Sequence, residues 1–187
     1  RLAARCVDSE LGVVVFDVGA REVLHRLAGA QGLYRSVAFS PDGQQLASIN
    51  FDLLTREKQV LPAPDALLAA AEGPDSLTFA GACVDGSLIQ WNVTENDAFH
   101  ARPGHKGPVR ALAFSQELQQ WASGGEDGRL AFWPLKGEPR FLQADERWLM
   151  ALAWDKAGTT LATGSAGGKV ALWSPDQEKP LAQWQAH

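Results

Sequence analysis

One stretch constrains the fold more than any other, because it returns. It reads Gly104-His105-Lys106-Gly107-Pro108-Val109-Arg110-Ala111-Leu112-Ala113-Phe114, then Trp121-Ala122-Ser123-Gly124-Gly125-Glu126-Asp127-Gly128-Arg129-Leu130-Ala131-Phe132-Trp133. Short apolar segments alternate with turn residues, and the same order of features recurs along the chain. Trp91, Trp133 and Trp173 mark it at spacings of 42 and 40. A period of about 40 residues is the signature of one supersecondary unit stacked on copies of itself.

The segments run four to seven residues, and several are apolar at consecutive positions, as in Ala111 to Phe114 and Leu130 to Trp133. That pattern suits strands buried on both faces. Small sheets that cover both faces by stacking make a β-propeller. A sandwich or barrel would explain the turn spacing but not the recurrence. With its opening Gly-His, its turn Asp and its closing aromatic, the stretch resembles a WD40 repeat, and the other segments look like copies of it, some worn. The resemblance implies an all-β fold, a β-propeller of four-stranded antiparallel blades of the WD40/YVTN-like kind.

Aligned on the repeat, residues 1–187 read as a single propeller region. Residues 1–28 form a partial blade without its first strand, with Asp8 in a turn and Phe16-Asp17 in the Trp-Asp position. Residues 33–61 start well, through a Pro41-Asp42-Gly43 turn, then degenerate, with Lys58 where an aromatic belongs. That blade is expected to lack its outer strand, and Pro62 and Pro64 fit a loop or edge. Blades 65–102, 104–143 and 147–186 follow. Within the first of these, Asp65 to Gly73 has the local look of a short capped helix, whereas the repeat alignment makes it an inner strand. Strand is the expectation, since so short a helix is marginal alone. About four and a half copies fit an incomplete part of a larger propeller; an atypical small closed ring is the alternative.

Hydrophobic residues make up 45% of the 187 and the formal net charge is −5, a globular composition. The mild acidity gives no reason to expect nucleic acid, whose binders carry a basic footprint. No apolar run approaches the length of a membrane span, so membrane insertion is not expected. Cys6 and Cys83 fall in blades that are not neighbours, which argues against a bridge. Buried thiols fit a reducing compartment, and the cytoplasm, or else the nucleus, is the expected location.

In WD40 proteins a His, a Ser or Thr, an Asp and a Trp form a buried hydrogen-bond chain. The resemblance places it here on His105, Ser123, Asp127 and Trp133, the one copy that matches all four. Such a trio of His, Ser and Asp could pass for a hydrolase triad, but Ser123 has no strained elbow around it. Elsewhere Ala30 and Asp145 replace the His, Gly81 the Ser and Gly167 the acid, so those blades are expected to be held by packing alone. His25, His100, His105 and His187 show no metal-ligand spacing. No metal, cofactor or catalytic residue is expected.

Family partners often dock where inner strands start and beside the turn Asp. Mapped here, those positions include Arg35, Lys106, Arg110, Glu126, Arg147 and Trp148. Arg and Trp are favoured interface anchors. The expected function is a non-catalytic scaffold for protein or peptide binding and complex assembly. The alternative is a sensor or regulatory region of a larger multidomain signalling protein, linked to an NTPase or kinase. The remaining blades of a parent chain would also be partners.

Overall fold

Each apolar segment ends at residues that turn the chain back, so neighbours in sequence pair as antiparallel strands. The computed structural model describes residues 2–5, 13–17, 19–27, 37–39, 46–48, 67–75, 78–92 and 99–186. The first sheet holds β1 (Leu2–Arg5), β2 (Val13–Asp17) and β3 (Glu22–Leu27), and the second holds β4 (Val37–Phe39) and β5 (Leu46–Ser48). Three four-stranded sheets follow. They are β6 (Leu67–Glu72), β7 (Thr78–Cys83), β8 (Leu88–Asn92) and β9 (Phe99–Arg102); β10 (Val109–Ser115), β11 (Gln120–Gly125), β12 (Arg129–Pro134) and β13 (Arg140–Gln143); and β14 (Leu149–Trp154), β15 (Leu161–Ser165), β16 (Lys169–Trp173) and β17 (Ala182–Gln185). Within every sheet the strands lie in chain order. Asp8, Cys6, Lys58, Pro62, Pro64 and the expected loss of an outer strand lie outside the described residues.

Residues 67–72 are strand, not helix. Pairing with β7 settles the conflict between local preference and repeat: Ala70 lies opposite Gly81 and Ala71 opposite Ala80.

The innermost strands β4, β6, β10 and β14 lie side by side, and β1 lies against β4 as β11 does against β14. The core sits between the sheets. Ala71, Ala80 and Leu88 of the third sheet meet Trp121, Ala131 and Trp133 of the fourth. From its other face, Ala122, Leu130, Phe132 and Leu142 meet Leu149, Leu161, Ala171 and Trp173 of the fifth. The fourth sheet is therefore buried on both sides, as its consecutive apolar residues require. On the fifth sheet, Trp184 of β17 is 48% exposed.

Two features recur at equivalent places and position the upper rim. Each four-stranded sheet carries a bulge at the second residue of its innermost strand, at Leu68, Arg110 and Met150. A bulge turns its residue out of the alternation and re-aims the side chain. Each sheet also has a turn glycine with positive φ, Gly86 (93°), Gly128 (71°) and Gly168 (79°). The Gly86 carbonyl accepts the His105 amide, and the Gly128 carbonyl accepts those of Ala144 and Asp145. The Gly86 and Gly128 turns thus latch the loops leading into the fourth and fifth sheets.

Candidate functional site

The loop before β10 delivers His105 into the fourth sheet, and the turn after β11 delivers Asp127 beside it. His105 Nδ1 lies 2.9 Å from Asp127 Oδ1, and Nε2 lies 2.7 Å from Ser123 Oγ. The Trp133 indole N–H donates to the same hydroxyl at 2.7 Å. A single proton arrangement satisfies all of them. The neutral ring donates from Nδ1 to the carboxylate, Ser123 donates to Nε2, and Ser123 accepts from Trp133. Asp127 also accepts the amides of Lys106 (2.9 Å) and Arg129 (3.1 Å).

Burial holds the His105 pKa below the ordinary imidazole value, outweighing the pull of Asp127. Burial alone would raise the Asp127 carboxyl, but the Lys106 amide, the His105 ring and the Arg129 amide together hold it below the ordinary carboxylate value. The pair therefore stands as neutral imidazole and ionised carboxylate near pH 7. Three contributors carry no mark in the sequence. Gly125 leaves the space for His105, since a Cβ there would stand 2.5 Å from Nδ1. Phe141 meets the imidazole edge-on at 5.5 Å. Arg129 lies 4.1 Å above the Phe141 ring.

The fifth sheet corrects the expectation that the other blades rely on packing alone. Its Trp173 indole donates to Thr163 Oγ1 at 3.0 Å, repeating the Trp133–Ser123 link. Asp145, in the histidine position, accepts the Arg147 amide at 3.0 Å. In the third sheet, Gly81 leaves room for the Trp91 ring, and Asp85 is held by Ser87.

The second constellation lies on the rim. The bulge aims Arg110 at Glu126, whose Oε1 accepts from both Nε (2.7 Å) and Nη2. The same guanidinium sits 5.6 Å from the Trp148 ring, a cation–π contact across two sheets. Glu126 is fixed in turn, because its amide donates to the Pro108 carbonyl at 2.9 Å. Trp148 is nonetheless 46% exposed and Met150 47%. Lys106 and Arg147 are exposed beside them. The structure thus brings Arg110, Glu126 and Trp148 into contact and sets Lys106 and Arg147 on the adjoining loops. Arg35 lies outside the described residues. The Arg110–Trp148 contact could not be read from the sequence, because it depends on the bulge.

Among the described residues no group of three His, Cys, Asp or Glu side chains is placed to hold a metal ion. No helix among them is long and apolar enough to cross a membrane.

A family model described as WD domain, G-beta repeat matches residues 98–134 and 138–174. The chain is similar to Protein transport protein SEC31 of Chaetomium globosum, 34% identical over 110 residues, which are 54% of this chain and 9% of that protein. It is similar to Periodic tryptophan protein 2 of Saccharomyces cerevisiae, 25% identical over 114 residues, covering 60% and 12%. It is also similar to Striatin-4 of Mus musculus, 29% identical over 122 residues, covering 51% and 16%. The matches therefore span only a small part of these relatives' length. A solved structure described as Crystal Structure of Mitotic Checkpoint Complex contains a chain that aligns with a TM-score of 0.82 at 20% identity, covering 95% of this chain and 59% of that one. At that identity the likeness establishes the fold alone.

Proposed function

From a chain that carries WD40 repeats folded as propeller blades, we propose a non-catalytic platform for binding a protein or peptide. The docking surface is the rim formed by Lys106, Arg110, Glu126, Arg147 and Trp148, with Arg35 at the equivalent position of an earlier copy. The observation that carries this reading is the exposed Trp148 ring, held against Arg110 while Glu126 fixes the guanidinium. Trp, Arg and Met concentrate in interface hot spots, and a preset anchor loses little freedom on binding. Reading residues 1–187 as one propeller region, in the cytoplasm or nucleus, belongs to the same proposal.

The His105, Ser123, Asp127 and Trp133 chain is assigned a structural role. Ser123 is fully buried and its hydroxyl already serves both the imidazole and the indole, so a substrate carbonyl has no approach to it. The likeness to WD-repeat relatives supports an interaction role.

Affinity capture from the native source tests the proposal. A polypeptide held by the wild type should be lost with Trp148→Ala and with Arg110→Glu, while the melting temperature of each variant stays within a few degrees. Capture indifferent to both substitutions would move the platform off this rim.

A further inference from the structure

The outer strands of the described sheets guard their edges unequally. β3 carries Glu22 and Arg26, β9 carries Arg102 and β13 carries Arg140. β17 reads Ala182-Gln183-Trp184-Gln185 and has no charged side chain. Charge on an edge strand discourages pairing with another chain, and an uncharged edge lacks that protection. The two arginines of β9 and β13 also tie their strands to the following sheet. Arg102 donates to the carbonyls of Pro134 and Gly137, and Arg140 to that of Pro175. β17 has no arginine to make such a tie. All four of its residues are exposed. The ladder position that holds Arg102 in β9 and the buried Leu142 in β13 holds Trp184 in β17, where the ring is 48% exposed. Leu181, just before the strand, is 49% exposed.

We infer that β17 is a self-association edge, which pairs antiparallel with β17 of a second copy and joins two four-stranded sheets into one. The occupant is a second copy because a two-fold axis sets the strand against itself, and a strand without charge brings no like charges together. A charged partner strand would find no counter-charge on it. The backbone phase sets the register. The Ala186 amide donates to the Gly168 carbonyl, so by the alternation of an antiparallel ladder Trp184 and Ala182 also turn their backbone groups toward β16. The N–H and C=O of Gln183 therefore point away from β16, and β17 has no second neighbouring strand among the described residues. Gln183 opposite its counterpart exchanges two N–H···O=C bonds across the axis. Ala182 then lies opposite the Trp184 of the second copy on one face of the joined sheet. The large indole covers the small side chain, and the two indoles become diagonal neighbours within reach of each other. β14 is the opposite edge of the fifth sheet, so this pairing leaves Trp148 and Met150 uncovered.

Sedimentation equilibrium on the chain tests this. So short a strand buries less than a standard interface, so association is weak and must be followed to high concentration. The weight-average mass should climb from 20.1 kDa toward twice that value. Gln183→Lys and Gln183→Glu each set like charges across the two-fold and should each weaken association about fivefold. Gln183 is exposed, so both variants should melt with the wild type. Mixing the two should restore association to the wild-type level or beyond, because unlike charges then face each other. Trp184→Ala should weaken association as well. A wild type that stays at 20.1 kDa at every concentration would overturn the inference. So would a dimer indifferent to the Gln183 and Trp184 substitutions, or a mixture that associates no more tightly than either variant alone.

Discussion

His105 is a histidine that the fold keeps uncharged. Its side chain is fully buried and that of Asp127 nearly so, and each exists to satisfy the other. Asp127→Ala leaves a buried ring N–H and the amides of Lys106 and Arg129 without their acceptor. An orphaned buried donor costs about 1–3 kcal/mol, so the melting temperature should drop by several degrees; a variant melting with the wild type would remove the network from the stability account. Acid should act through the same pair. The folded pKa of His105 lies below its unfolded value, so below about pH 6.5 the unfolded chain binds the extra proton and stability declines. Asp127, depressed in the fold, adds a loss in the same direction as pH falls below about 4. Denaturant titrations between pH 7.5 and 5 should show the midpoint falling in the wild type and falling less in His105→Gln; parallel curves would mean that the imidazole does not titrate on unfolding. The residue types of the network could be picked from the sequence because one copy carries all four at repeat spacing. Gly125 and Phe141 could not, because a gap for a ring and an edge-on neighbour leave no pattern of their own.

At the scale of the element, turns and bulges carry the information that strands do not. Gly128 has φ of 71°, and a Cβ there would stand 2.1 Å from the Asp145 carbonyl oxygen. Gly137 has φ of 101° with nothing within 4 Å. Gly128→Ala should therefore cost clearly more than Gly137→Ala, whose penalty is backbone strain alone, on the order of 1 kcal/mol. Thermal melts of the two variants compare them directly, and equal losses would show that the latch onto the loop before β14 contributes nothing. Strand positions were legible from the alternation of apolar segments and turn signals. The inner-strand bulges were not, since one extra residue in a ladder changes pairing without changing composition. The links between outer strands and neighbouring turns were equally silent: Arg102 donates to the carbonyls of Pro134 and Gly137, and Arg140 to that of Pro175. Residues 67–72 show the opposite case, where a misleading local preference is overruled by a register of Ala on Gly and Ala on Ala with no room for a helix.

For the whole molecule, the repeat length announced the architecture, and the alternation of clusters between sheets is what that length builds. The period left the partner open, because the packing positions recur from copy to copy while Lys106, Arg147 and Trp148 do not. The same modularity bears on how the chain acquires its shape. Among the described residues every ladder joins strands adjacent in sequence, so each of these sheets can close within a few tens of residues and long loops need not be organised first. Order can then spread from sheet to sheet, and the fourth, packed on both faces and tied by its histidine, is the natural nucleus. Damage there should appear as slow refolding. Damage in β17, all of whose residues are exposed, should appear instead as fast unfolding. Stopped-flow chevrons of Asp127→Ala and Trp184→Ala would separate the two, and if both lesions fall on the same limb, the order of assembly is not set by the fourth sheet.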